Sequence, residues 1–99
     1  MLTDTDIQAM MTAATNRLQI TIVYLKKTTG ETVQHTGGVV EIDGANGLLW
    51  LWDTTMNDHI RKFLLSNVEG LQVLQQPFDS SSAGGFPLKI NGQIIVTPM

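Results

Sequence analysis

The 99-residue chain contains no cysteine, few aromatic residues and little charge of either sign. Without cysteine it has neither disulfides nor thiolate metal sites, which is typical of the reducing cytoplasm. No apolar run approaches the roughly 20 residues of a membrane-spanning helix. The first residues lack the basic and then apolar layout of a signal peptide. These absences predict a cytoplasmic protein with no membrane partner.

The composition that is present indicates a small globular protein. The hydrophobic fraction of 42% is too high for a disordered chain. Ninety-nine residues suffice for one modest core, so we predict a single domain over residues 1–99. The formal net charge of −3 gives the chain as a whole no electrostatic attraction for nucleic acid.

The middle of the chain has the pattern of a three-stranded meander. β-Branched, aromatic and apolar residues, which suit a pleated surface, predict strands at residues 20–25, 32–42 and 48–52. Gly30 supplies turn chemistry between the first two strands. Gly37 and Gly38 interrupt the second strand and indicate a sharp bend, which a small barrel requires of a strand that serves two faces.

The flanking segments complete a mainly β fold. An apolar stripe predicts a helix over residues 3–16, and further strands are expected at residues 59–65 and 68–75. Five short strands joined by small turns predict a strongly bent barrel over residues 17–76. Residues 77–87 are rich in Ser and Gly and predict a flexible linker. Asn91 and Gly92 lie between two apolar runs and predict a C-terminal hairpin over residues 88–97 with a type I′ turn.

No set of residues with catalytic or metal-binding spacing occurs in the chain. His35 and His59 lack the spacing of metal ligands, and we expect each on the surface of a strand. Asp53 and Asp58 flank one loop and have the pattern of solvated turn formers. We therefore predict a protein that is not an enzyme and uses no metal and no cofactor.

Basic residues accompany aromatic residues on the predicted strands, which is a pattern that can hold single-stranded nucleic acid or a small ligand. The candidate contacts are Lys26, Lys27, Trp50, Trp52, Arg61 and Lys62. The alternative for the two tryptophans, which share one face of a strand, is a place in the core or in an interface.

Two apolar surfaces are candidates for protein contacts. The helix carries adjacent methionines, and methionine tolerates varied partners; the alternative is that this helix covers the barrel. An isolated hairpin is marginal in water, so the hairpin docks on its own barrel or on another subunit. The candidate interface residues are Met10, Met11, Ile94 and Val96, and we predict a homo-oligomer or an unidentified protein partner.

The chain resembles small β-barrels of the Sm-like and SH3-like class, and within it the YolD-like family of small bacterial proteins. The resemblance covers residues 17–75. It rests on residues 20–24, 48–51 and 59–74 and on the run Gly38-Val39-Val40-Glu41-Ile42-Asp43. The family implies a non-catalytic interaction module of a bacterial cytoplasm that acts through protein contacts.

Two other families are similar to the same segment. Asp53 and Arg61-Lys62-Phe63 resemble a stretch of the WYL domain, with Gly47-Leu48-Leu49 at the place of its Trp-Tyr-Leu triplet; this resemblance implies small-ligand sensing. Gly47-x-Leu49 followed by Asp53-x-x-Met56-Asn57 resembles the first Sm motif, and Ile90-Asn91-Gly92 stands at the place of the second. The Sm resemblance implies nucleic-acid binding.

Overall fold

A computed structural model describes residues 2–54, 59–77 and 87–96. These residues form one α-helix, one short 3-10 helix and a sheet of seven strands. The elements are α1 (Asp4–Thr15), β1 (Leu18–Leu25), β2 (Thr32–Asp43), β3 (Leu48–Asp53), β4 (His59–Leu64), the 3-10 helix (Leu65–Asn67), β5 (Val68–Pro77), β6 (Leu88–Ile90) and β7 (Gln93–Val96). The predicted mainly β fold with an N-terminal helix and a C-terminal hairpin is confirmed.

Helix α1 begins with a capping box. The Thr3 hydroxyl accepts a hydrogen bond from the Asp6 N–H (3.1 Å), and the Asp6 carboxylate accepts one from the Thr3 N–H (3.0 Å). The bond from the Thr3 backbone, and then the one from its side chain, lowers the pKa of Asp6. The helix packs its buried face, which contains Met10, Ala13 and Ala14, against the sheet.

The first five strands, β1 to β5, lie in the order β4-β3-β2-β1-β5, and all their pairings are antiparallel. Strand β2 pairs with β1 up to Gly37 and with β3 from Gly37 onward. A register shift between Val39 and Glu41 adds a bulge in the second half of β2. The predicted bend at the paired glycines therefore marks the place where β2 passes from one neighbour to the next.

The C-terminal hairpin docks on its own sheet. Strand β6 pairs in parallel with the end of β2, where Glu41 faces Lys89 and Ile42 faces Ile90. Asn91 and Gly92 have φ angles of 52° and 84°, which confirms the predicted type I′ turn. The Asn91 side chain accepts a hydrogen bond from the Gly44 N–H (2.7 Å) and so fastens this turn to the turn after β2.

The core lies between helix α1 and the inner face of the bent sheet. Its fully buried residues alternate along the strands, as in Ile20 and Ile22 of β1 and Leu49 and Leu51 of β3. Most of the predicted linker, residues 78–86, lies outside the described residues, and Pro77 is the last residue of β5. No helix within the described ranges has the length and apolar character needed to cross a membrane.

Candidate functional site

A cleft of about 210 Å³ opens where the ends of β1, β2 and β4 converge. Its lining residues come from these three strands and from the turn after β1, and they are Tyr24, Lys26, Val33, His35, Arg61, Lys62 and Phe63. The curl of the sheet closes one side, because the Tyr24 hydroxyl accepts a hydrogen bond from the Leu64 N–H of β4 (3.1 Å). The cleft is thus a product of the tertiary fold.

Strand periodicity explains why Arg61 and Phe63 meet in the cleft, whereas Lys62 lies opposite Trp50 and reaches the cleft from the outer face of the edge strand β4. In β4, Arg61 and Phe63 are two residues apart and point to the same face of the sheet. They lie opposite Leu51 and Leu49 of β3, which are core residues. Arg61 and Phe63 therefore extend the inner face of the barrel outward to its rim, where Arg61 is about a third exposed.

Three rings form the floor of the cleft. The ring centroids of Tyr24 and Phe63 are 4.9 Å apart at an interplanar angle of 71°, which is an edge-to-face contact. The His35 ring lies 4.9 Å from Phe63 at an angle of 53°. Such pairs contribute about 0.5–1.5 kcal/mol each beyond their burial, so the floor is packed and rigid.

Beneath the floor, His35 forms a buried hydrogen bond with Asp53. The distance from His35 Nδ1 to the Asp53 carboxylate is 2.7 Å, and these residues are 5% and 0% exposed. Arg61 approaches the same carboxylate oxygen at 3.9 Å. The expectations of a surface His35 and a solvated Asp53 are wrong, because both side chains point to the inner face and satisfy each other there; His59 is exposed as predicted.

The electrostatic balance of the cleft is positive although the chain is acidic. Lys26, Arg61 and Lys62 line it, and the buried Asp53 contacts two of its lining residues, His35 and Arg61. Among the described residues, the lining itself thus contains three cationic side chains and no carboxylate. An aromatic floor below such a rim favours an anionic ligand with a planar body.

The structure brings together three of the six predicted contact residues, namely Lys26, Arg61 and Lys62. Lys27 is exposed beside the cleft. Trp50 and Trp52 lie half-buried on the outer face of β3, opposite in direction to Leu49 and Leu51. A ligand in this cleft therefore meets Tyr24 and Phe63 rather than the tryptophans.

The candidate interface residues divide between core and surface. Met10 is fully buried in the core, so it is removed from the candidate interface, and Met11 is half-buried against that core. This placement matches the alternative in which the helix covers the barrel. Ile94 is 56% exposed, and the neighbouring Ile95 is 45% exposed. The side chain of Val96 lies outside the described residues.

Sequence reasoning missed Val33, His35 and Asp53 as parts of the site. For Asp53 a signal was present, because it continues the inward series of Leu49 and Leu51 at a period of two. For His35, the bend at the neighbouring glycines of β2 prevented the alternating pattern from predicting which face of the sheet the side chain takes. Within the part of the chain that is described, no group of three or more metal-ligating side chains occurs.

The comparisons with known proteins support the fold. A solved structure, that of proteasome accessory factor B/C of Arthrobacter aurescens, is similar to this chain with a TM-score of 0.67 and 15% sequence identity. The match covers 100% of this chain but 16% of that chain. No family model and no curated protein matches the chain. At 15% identity this likeness supports the fold, a small mainly β domain with an N-terminal helix.

Proposed function

We propose that this domain is a non-catalytic binding module whose cleft takes a small anionic ligand. The observation that carries the proposal is the meeting of Lys26, Arg61 and Lys62 above the packed rings of Tyr24 and Phe63. Cations and a rigid aromatic floor supply charge and shape recognition together. Small-ligand sensing, which the WYL resemblance implies, accords with this geometry.

A titration with aromatic phosphates, sulfates and carboxylates, followed by amide NMR shifts, tests the proposal. We expect the shifts to concentrate at residues 24–35 and 61–63. Replacing Lys26 or Lys62 by Gln weakens binding by about two- to fivefold, the effect expected of a charge at an open rim. Arg61→Gln weakens it by about tenfold or more, since a guanidinium can bind an oxyanion with two hydrogen bonds.

Lys27→Gln is the matched control. It removes the same charge from the residue next to Lys26, but outside the cleft. Affinity for the anion should therefore stay within about twofold of the wild type, because exposed charges farther away are screened by salt. Equal losses in the Lys26 and Lys27 variants would indicate general attraction to the surface and would contradict the cleft.

The same cations are the candidate contacts for Sm-like nucleic-acid binding. A labelled oligonucleotide in the same titration separates the two functions. Nucleic-acid binding predicts a steep loss of affinity with salt, to which Lys27 contributes as much as Lys26. The cleft proposal predicts tighter binding of the small aromatic anion than of an unphosphorylated oligonucleotide of natural sequence.

A second candidate function is protein contact through the C-terminal hairpin. It is favoured by the exposure of Ile94 and Ile95 on β7, for which the described residues show one pairing partner, β6. An apolar strand with an open edge is a template for pairing with another chain. The partner that we propose is a second copy of this chain, which gives the homo-oligomer expected from the sequence.

Light scattering on a sizing column measures this assembly. Ile94→Lys places a charge on the exposed edge strand, and we expect it to shift the oligomer to the monomer mass at micromolar concentration. Leu64→Lys is the control, because Leu64 is similarly exposed (46%) but lies on β4. A wild-type monomer, or equal loss of mass in both variants, would contradict assembly through the hairpin.

The narrower assignments rest on the sequence and remain predictions. They are a YolD-like affiliation and a bacterial cytoplasmic location. The lack of cysteine supports the location, and the alternating apolar pattern supports the affiliation.

A further inference from the structure

Of the two nitrogens of the His35 ring, Nδ1 forms a hydrogen bond within the protein and Nε2 does not form one with any described residue. Its Nδ1 is 2.7 Å from the Asp53 carboxylate, and the ring also lines the cleft. The structure gives Nε2 no hydrogen-bond partner among the described residues, nor does Nε2 belong to their buried unpartnered atoms. This second nitrogen is therefore not held by another described residue, while the first is held by a buried acceptor.

We propose that the cleft is specific for a phosphomonoester dianion on an aromatic or planar body, and that one proton is taken up between His35 Nε2 and a phosphate oxygen on binding. The inference rests on the proposed function, since it assigns the chemical class of the anion that enters the same cleft. Three features of the site carry it, namely charge, hydrogen bonding and size.

The charge of the site favours an anion that carries more than one negative charge. The charged and titratable side chains that line the cleft with His35 are Tyr24 of β1, Lys26 just after β1, and Arg61 and Lys62 of β4, while Asp53 of β3 is bonded to His35 Nδ1. Among the described residues, the lining of the cleft contains three cationic side chains and no carboxylate. A phosphomonoester carries about two negative charges at pH 7 and above, whereas a sulfate ester or a carboxylate carries one.

The hydrogen bonds of the site require a proton. Asp53 is an acceptor when ionised, so it fixes the His35 tautomer with hydrogen on Nδ1 and leaves a lone pair on Nε2. A phosphate oxygen and this lone pair repel each other unless a proton lies between them. The proton comes from solvent, and either partner can hold it, because an imidazole nitrogen and a phosphate oxygen are both proton acceptors.

The size of the site limits the body of the ligand. A volume of about 210 Å³ is below the ~300–1,000 Å³ that is usual for drug-sized ligands. The cleft can thus enclose a phosphate group and one ring that packs on Tyr24 and on the small exposed part of Phe63, but not a chain of nucleotides. The ligand class is therefore a small phosphate ester rather than a polymer.

Calorimetric titration of the full chain with phenyl phosphate and phenyl sulfate tests the inference. The two esters have the same shape and differ in charge and in their ability to hold a proton. At pH 8 in buffers of different ionisation enthalpy, we expect phenyl phosphate to take up nearly one proton and to bind about tenfold more tightly than phenyl sulfate. Inorganic phosphate alone should bind about tenfold more weakly than phenyl phosphate, because it has no ring to stack.

Two further measurements locate the proton. Ring ¹⁵N shifts should change for His35 on binding and stay constant for His59, the other histidine of the chain, which is exposed and outside the cleft. His35→Asn keeps a donor for Asp53 but cannot bind a proton. This variant should lose the proton uptake and most of the preference for phosphate over sulfate, while phenyl sulfate still binds.

The outcomes separate the inference from the function on which it rests. If both esters bind equally without proton uptake, the anion-binding function holds and the phosphomonoester inference is overturned. Proton uptake without a ¹⁵N change at His35 also overturns it, unless the ³¹P shift shows the proton on the ligand. If neither ester binds, or if Arg61→Gln has no effect on binding, the anion-binding function itself fails.

Discussion

Gly37→Ala is expected to lower the free energy of unfolding by at least about 3 kcal/mol, enough to unfold much of a marginally stable domain of this size. Gly37 is buried at the point where β2 pairs with Ile20 of β1 on one side and with Asp53 of β3 on the other. A Cβ built there collides with the Trp52 carbonyl oxygen and lies 3.3 Å from the Asp53 Cα. Urea denaturation followed by tryptophan fluorescence measures the loss.

The cost is large because backbone atoms make the collision. A side chain can change rotamer to admit a methyl group, but a carbonyl in a sheet moves only if the two strands separate. Separation at Gly37 also displaces Asp53, the buried partner of His35. The Ala variant should therefore lose ligand binding together with stability.

Gly70→Ala is the matched control, because Gly70 is also a strand glycine that pairs with β1. A Cβ at that position meets the Val23 side chain at 3.6 Å, which is an ordinary van der Waals contact. We expect Gly70→Ala to raise the free energy of unfolding by less than about 1 kcal/mol, because alanine restricts the backbone of the unfolded chain more than glycine does. Similar losses at both positions would show that the steric argument for Gly37 does not hold.

The sequence predicted the strands better than it predicted the inner face of the barrel. Alternation of apolar residues and the Asn91-Gly92 turn are local signals, and they gave the strands and the hairpin near their observed positions. The parallel pairing of β6 with β2 joins Glu41 to Lys89 and Ile42 to Ile90. It is non-local and had no signal in the sequence.

The site shows the same division between local and non-local information. Lys26, Arg61 and Lys62 were identified from their charge, but their meeting in one cleft depends on the curl that brings β4 toward β1. Polar residues near loops usually face water, and this default misplaced His35 and Asp53. The period of two along β3 would have placed Asp53 on the inner face with Leu51.

Asp53→Leu is expected to lower the free energy of unfolding by about 3 kcal/mol, because it leaves the buried His35 Nδ1 without its partner. His35→Phe, which leaves the buried carboxylate without its imidazole partner, is expected to cost at least about 2 kcal/mol for the same reason. The double variant replaces the pair by two apolar groups in a largely apolar surround. We expect it to be more stable than the sum of the single losses predicts, by about 1 kcal/mol or more.

A double-mutant cycle at a neutral pair gives a reference value for the coupling energy of His35 and Asp53. Thr21 and Thr36 share a half-buried hydroxyl hydrogen bond of 2.8 Å between β1 and β2, and Val can replace each with little change in shape. Their coupling should be below about 1 kcal/mol, as is usual for a neutral cross-strand pair. A coupling for His35 and Asp53 no larger than this would mean that the pair adds little to stability beyond a neutral contact. The strong coupling that we expect instead means that the buried carboxylate holds the imidazole in place in the lining of the cleft before any ligand arrives.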